Sequence, residues 1–199
     1  IAFLIIGGLI GSYFVIAAGI TIAVILAFAI LSIYFYSTKI VDSGLAEFFV
    51  AVKGSMIVIG TYFIQSNQIS LESILAGIVV GVLSSLVLFI ASFPDYHADK
   101  SKGRKTLVIL MGKKFAAKII WIFPSISFGT IVIGVFFEIF PIYVLIALVP
   151  LPLIINAGRG LKKNYDNSTL LLPFMSRTLM FSRIVGGLFV LGILIGTNF

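Results

Sequence analysis

Two carboxylates four residues apart, Asp95 and Asp99, stand in the run Phe93-Pro94-Asp95-Tyr96-His97-Ala98-Asp99-Lys100-Ser101-Lys102-Gly103-Arg104-Lys105-Thr106-Leu107. On a helical turn that spacing puts both side chains on one face, so both can address one divalent ion. Oxygen ligands of this kind suit magnesium, which takes one or two carboxylates and completes its shell with phosphate oxygens and water. Just downstream, Gly103 allows a turn, and Arg104 and Lys105 bring positive charge to the same phosphates. The plain alternative is that Asp95 and Asp99 solvate a loop and balance its lysines, and spacing by itself favours that alternative. Position weighs for a site. The acid pair abuts the end of one apolar run and is followed by a basic turn and a second apolar run, so ion, phosphate and lipid environments meet there.

The elements that must position this stretch are membrane helices. Of the 199 residues, 60% are hydrophobic and only 11% charged, with mean hydropathy +1.22; a soluble domain spreads charge along every helix. Seven apolar segments can be drawn, roughly 1–18, 20–37, 44–65, 71–93, 115–137, 140–158 and 178–197, each of a length to cross about 30 Å of hydrocarbon as a helix. The runs lack the alternation of barrel strands, so an all-α, polytopic bundle is expected, as a single domain over 1–199. Ser43 and Gly44 are placed to cap the third segment, where Glu47 suits the positive end of the helix dipole. Pro94 closes the fourth segment, and Pro124, Pro150 and Pro152 should kink the helices they interrupt. Gly7, Gly8, Gly11, the Gly77 and Gly81 pair, and Gly186 and Gly187 fit close helix contacts.

Charge orients the bundle. The connections near 19, 66–70 and 138–140 hold no lysine or arginine. Lys39 lies in the second connection, Lys100, Lys102, Arg104, Lys105, Lys113, Lys114 and Lys118 in and beside the fourth, and Arg159, Lys162, Lys163 and Arg177 in the sixth. The positive-inside rule makes this face cytoplasmic and the protein a multi-pass protein of the cell membrane. The net charge of +7 therefore reads as a topology signal rather than as nucleic-acid binding. The chain has no cysteine, and its single histidine, His97, excludes a histidine metal cluster. Because the chain opens inside an apolar run without methionine, a missing natural start is expected.

Asp95 and Asp99, followed by Gly103, Thr106-Leu107 and Leu110-Met111-Gly112, resemble the second aspartate-rich motif of the UbiA superfamily of intramembrane prenyltransferases. The form Phe-Pro-Asp-Tyr-x-x-Asp followed by Gly-Arg-Lys-Thr-Leu is most similar to the branch that includes the 1,4-dihydroxy-2-naphthoate prenyltransferases of menaquinone synthesis. Upstream, Tyr36-Ser37 with Lys39, then Gly44-Leu45-Ala46-Glu47 and Gly54, resembles the family's segment between two middle spans, although Tyr36 and Lys39 stand one residue closer than the family's usual spacing. The resemblance implies seven of nine spans, with two further spans and a first, Asn-Asp-containing motif expected before Ile1.

It also implies magnesium-dependent transfer of an isoprenyl group from a prenyl diphosphate to an aromatic acceptor, in quinone biosynthesis. Asp95 and Asp99 would be the metal-binding and catalytic residues, with Tyr36, Lys39, Lys53, Arg104 and Lys105 as substrate contacts. A menaquinone-type naphthoate is the favoured acceptor; 4-hydroxybenzoate, a glyceryl phosphate lipid precursor, a chlorin or haem would need the same loop. An aromatic face such as Tyr36 can stabilise an allylic cation. Lys53, inside the third segment, either reaches toward diphosphate, pairs with Glu47 or snorkels to the interface. Arg183 is read as snorkelling, and Arg159, Lys162 and Lys163 as topology or anionic-lipid contacts. The rival from another class is a small transporter or lipid-binding protein in which Lys53 is the charge on the permeation path.

Overall fold

The computed structural model describes residues 2–35 and 41–197. Among them every regular element is helical: α1 (Ala2–Ala18), α2 (Ile20–Phe35), α3 (Val41–Ser43), α4 (Ala46–Ser66), α5 (Leu71–Ala91), α6 (Tyr96–Ser101), α7 (Leu107–Met111), α8 (Lys113–Ile119), α9 (Ile122–Phe136), a 3-10 helix (Ile142–Leu148), α10 (Leu151–Asn164) and α11 (Ser168–Thr197). Among the described residues, five stretches are long and apolar enough to cross a membrane: α4, α5, α8 with α9, the 3-10 helix with α10, and α11. That is two fewer than the seven apolar segments. The other two, α1 and α2, are apolar helices of 17 and 16 residues and fall short of that length.

Helix α5 is the hub, packed against α4, α9 and α11. Its Leu86, Phe89 and Ile90 are fully buried, and Phe89 stacks on Phe93 and Phe123 at ring distances of 5.5 and 4.9 Å. Further along the core, Phe140 meets Phe189 edge-on at 5.2 Å, which joins α11 to the segment before the 3-10 helix. In lipid the drive for helix association comes from close packing and interhelical hydrogen bonds rather than from water. Hydroxyls on one helix accordingly donate to carbonyls of another: Ser55 to Gly77 at 2.9 Å, Ser85 to Glu47 at 2.7 Å and Ser182 to Leu83 at 2.9 Å.

Glycine makes the α4–α5 contact close. A Cβ on Gly54 would lie 2.9 Å from the Cα of Gly81, and one on Gly81 would overlap the carbonyl oxygen of Ala51. The Gly77 and Gly81 pair thus does what was expected of it, whereas Gly7, Gly8, Gly186 and Gly187 face open space. Small-residue spacing alone does not show which helix face has a neighbour. On α11 the close approach falls instead at Gly192 and Gly196, against Val144 and Pro141. Gly81→Leu is expected to destabilise the bundle by about 1–3 kcal/mol through overpacking. Gly186→Leu should leave the thermal midpoint in detergent unchanged; equal midpoints for the two variants would contradict the α4–α5 contact.

Pro124, Pro150 and Pro152 act at helix starts, whereas Pro173 lies inside α11. Pro150 is the N-cap of α10 and Pro152 lies in its first turn; Pro124 lies in the first turn of α9. There the missing N–H has no intrahelical partner to lose, so the sixth segment divides into a 3-10 and an α piece rather than bending as one helix. Helix α4 begins at Ala46 behind Leu45, which supplies no side-chain cap, so the expected Ser43-Gly44 cap is not where the helix starts. Helix α11 begins ten residues before the expected 178. Arg177 is carried inside it because its guanidinium bonds the Asn156 side chain and lies 5.4 Å over the Phe174 ring.

Candidate functional site

Beyond α5 the chain turns through Ser92 to Pro94 and enters the single short turn of helix α6, which Asp95 opens as N-cap. The Asp99 N–H donates to the Asp95 carbonyl at 2.8 Å, so the two residues are successive on one helical face, as their spacing requires. Both line one cavity of about 140 Å³, together with Ala46, Leu88, Ala91, Ser92, Arg104 and Thr106. Its floor is apolar helix and its rim is charged.

Arg104 is pinned to this rim twice. Its backbone N–H donates to the Asp99 carbonyl at 3.1 Å, and its guanidinium donates to the Asp99 carboxylate at 2.8 Å. The reversal between them needs Gly103, whose φ of +77° favours glycine. This is the sole ion pair among the described residues, and the arginine is half exposed. Lys105 is exposed and is not among the cavity's lining residues.

Glu47 fastens the loop to the bundle. It is 1% exposed, and its Oε1 accepts the Leu107 N–H at 3.0 Å. Thr106 caps the same helix, α7, by accepting the Ile109 N–H at 3.4 Å. Together they satisfy two of the donors that a helix start leaves unpaired. The Glu47 carbonyl meanwhile accepts from Ser85, so one residue ties α4 to α5 and to the loop. Gly44 lets the α3–α4 corner approach: a Cβ there would strike Leu110 and lie 3.4 Å from the Lys105 carbonyl. Glu47 was expected to serve its own helix dipole. Its partner lies 60 residues away, and the sequence signal available was an acid in the first turn of an apolar span.

Lys53 does not join the acid pair. It borders a separate apolar cavity of about 150 Å³ between α2 and α4, with Ile25, Phe28, Ala29, Ser32, Met56 and Ile57. It makes no ion pair with Glu47, whose carboxylate is engaged with Leu107. Tyr36 and Lys39 lie outside the described residues.

The donor set suits a hard cation. Asp95 and Asp99 offer carboxylate oxygens at one cavity, and no group of three or more His, Cys, Asp or Glu side chains occurs among the described residues. Two carboxylates match magnesium, which leaves most of its shell to phosphate oxygens and water, better than a metal needing an all-protein cage.

The model of the UbiA prenyltransferase family matches residues 1–182. A 1,4-dihydroxy-2-naphthoate octaprenyltransferase of Bacillus subtilis (strain 168) is 35% identical over 85 residues, which are 38% of this chain and 27% of the relative. A 1,4-dihydroxy-2-naphthoate octaprenyltransferase of Escherichia coli (strain K12) is 27% identical over 143 residues, 70% of this chain and 45% of the relative. The matched segments thus span less than half the length of these curated relatives. No solved structure gives a significant match.

Proposed function

Because the chain belongs to the UbiA prenyltransferase family, we propose that the protein transfers an isoprenyl group from a prenyl diphosphate to an aromatic acceptor of the 1,4-dihydroxy-2-naphthoate type. The observation that carries this reading is the convergence of Asp95, Asp99 and Arg104 on one cavity at the end of an apolar helix. The acceptor class is supported by the activity for which the two relatives are named.

Asp95 and Asp99 would hold magnesium, which supplies neutralisation of the diphosphate charge as that group departs. Arg104 is placed to orient a phosphate oxygen through the guanidinium edge not used by Asp99. As the carbon–oxygen bond to diphosphate breaks and diphosphate leaves with its electron pair, a ring carbon of the acceptor would bond the allylic carbon and then regain aromaticity by losing the substituent it carries, as a proton or as carbon dioxide, while Ala46, Leu88 and Ala91 limit the access of water to the allylic carbon. Glu47 and Thr106 keep the loop in register for this.

The test is product analysis. Full-length protein in lipid nanodiscs, given prenyl diphosphates and either the naphthoate or 4-hydroxybenzoate, is expected to yield prenylated naphthoate by mass spectrometry, and chelation of magnesium should abolish it. Prenylation of another acceptor alone would overturn the acceptor assignment, and no prenylation of any would overturn the reaction.

The acid-bearing loop is placed on the cytoplasmic face of the cell membrane, supported by the lysine-free connections at 66–70 and 138–140. These 199 residues contain no cysteine, so single cysteines report cleanly. Cysteine at position 102 is expected to react with an impermeant thiol reagent only from the cytoplasmic side, and cysteine at position 68 only from the other. Labelling of both from one side would refute the topology.

A further inference from the structure

Behind the acid pair, α6 presents a second face. Successive helical residues diverge by about 100°, so Tyr96 and Lys100 point away from Asp95 and Asp99. On that side lies a cavity of about 470 Å³ lined by Tyr96, His97, Gly112, Lys113, Lys114 and Lys118, with Tyr165 and Asp166 from the end of α10 closing it. It shares no lining residue with the carboxylate cavity.

Its charge is unbalanced. Three lysines face one aspartate, and none of the three forms an ion pair. Lys113 is the informative one: it is only 7% exposed, and its ammonium lies 5.1 Å from the Tyr96 ring centre. The Lys100 ammonium lies 5.7 Å from the centre of the same ring. A buried ammonium gains from an aromatic face but far more from an anion, and gathering further lysines beside it adds repulsion that an anion would relieve. Exposed Met111 and Phe115 supply an apolar rim to the same cavity.

We propose that this cavity is a binding site for a phosphate-bearing anion, held by Lys113, Lys114 and Lys118, with the Tyr96 ring positioning the Lys113 ammonium, and distinct from the carboxylate site. Its volume suits a phosphorylated head group, and the apolar rim beside the lysines suits one that enters from a lipid surface. The phosphate group is the chemistry recognised, whether borne by an anionic lipid or free in solution.

Full-length protein in nanodiscs of zwitterionic lipid would be titrated with phosphatidylglycerol, and separately with inorganic phosphate, with bound lipid read by native mass spectrometry and the thermal midpoint by fluorescence. Phosphatidylglycerol is expected to be retained and to raise the midpoint. The Lys113→Gln/Lys118→Gln variant is expected to weaken its binding by about a hundredfold, one decade for each of the two charge-assisted bonds of about 1.4 kcal/mol lost. Lys114→Gln/Lys118→Gln leaves buried Lys113 in place and guards against misfolding; it should show a smaller loss in the same direction. Lys162→Gln/Lys163→Gln removes equal charge from the exposed last turn of α10 and should change binding less than twofold. If phosphate competes with the lipid, the site takes either source; if only the lipid binds, it reads a head group at the membrane surface. Equal weakening by the pocket variants and by Lys162→Gln/Lys163→Gln would show diffuse attraction to the whole basic face and overturn the site, as would retention unaffected by any variant.

Discussion

Asp99→Ala is expected to lower prenyl transfer by about a hundred- to a thousandfold, the scale seen when one preorganised charge-stabilising group is removed from an active site. Two losses coincide: one of the two carboxylates at the cavity goes, and the Arg104 guanidinium, now held at 2.8 Å, loses the group that orients it. Stability should respond differently. The arginine side chain is 47% exposed, and ion pairs at that level of exposure contribute only about 0–1 kcal/mol. The thermal midpoint should therefore hardly move while turnover collapses. Asp95→Ala should reduce turnover on the same scale without releasing Arg104. Product formed per minute under saturating magnesium, measured beside the melting curve, separates the two effects; near-normal metal-dependent turnover in both variants would remove the carboxylates from the chemistry.

Glu47→Ala is expected to be the most damaging substitution outside that pair, and to act by another route. It strips the part-buried Leu107 N–H of its acceptor, which costs about 1–3 kcal/mol, and leaves a cavity where a side chain 1% exposed now sits. The loop from Arg104 to Leu107 would then lose its hydrogen bond to α4 and keep the close approach at the Gly44 corner. We expect a lower melting midpoint together with a fall in turnover of about tenfold or more, because small displacements of positioning groups are costly to rate. Glu47→Gln keeps an acceptor oxygen for the Leu107 N–H and should recover most of both. Should Gln behave like Ala, the carboxylate itself, rather than its hydrogen bond to the loop, would be what matters.

The geometry of the acid-bearing loop was legible in the sequence because its information is local. Four-residue spacing puts Asp95 and Asp99 on one turn whatever surrounds them, and Gly103 permits the reversal that returns Arg104 to Asp99. Helical class followed similarly from hydropathy and the backbone's need for internal hydrogen bonds in lipid. Such properties depend on a residue and its near neighbours along the chain.

Tertiary structure decided whatever depends on which helix faces which. Gly81 and Gly186 look alike in sequence, yet one meets the α4 backbone and the other meets nothing. Glu47 and Lys53 stand six residues apart on one helix and so on different faces, but only packing shows that Glu47 meets the loop and Lys53 an apolar cavity beside α2. Pro150 and Pro152 signal a break, but the 3-10 segment before them is packed against α11, where Gly192 and Gly196 admit it. Lys113 and Lys118 read as topology charges until α10 brings Tyr165 and Asp166 across to enclose them with Tyr96. The physical reason is common to all four cases: an apolar helix in lipid has no single water-facing side to announce its orientation, so the partner of each face is set by packing with distant residues.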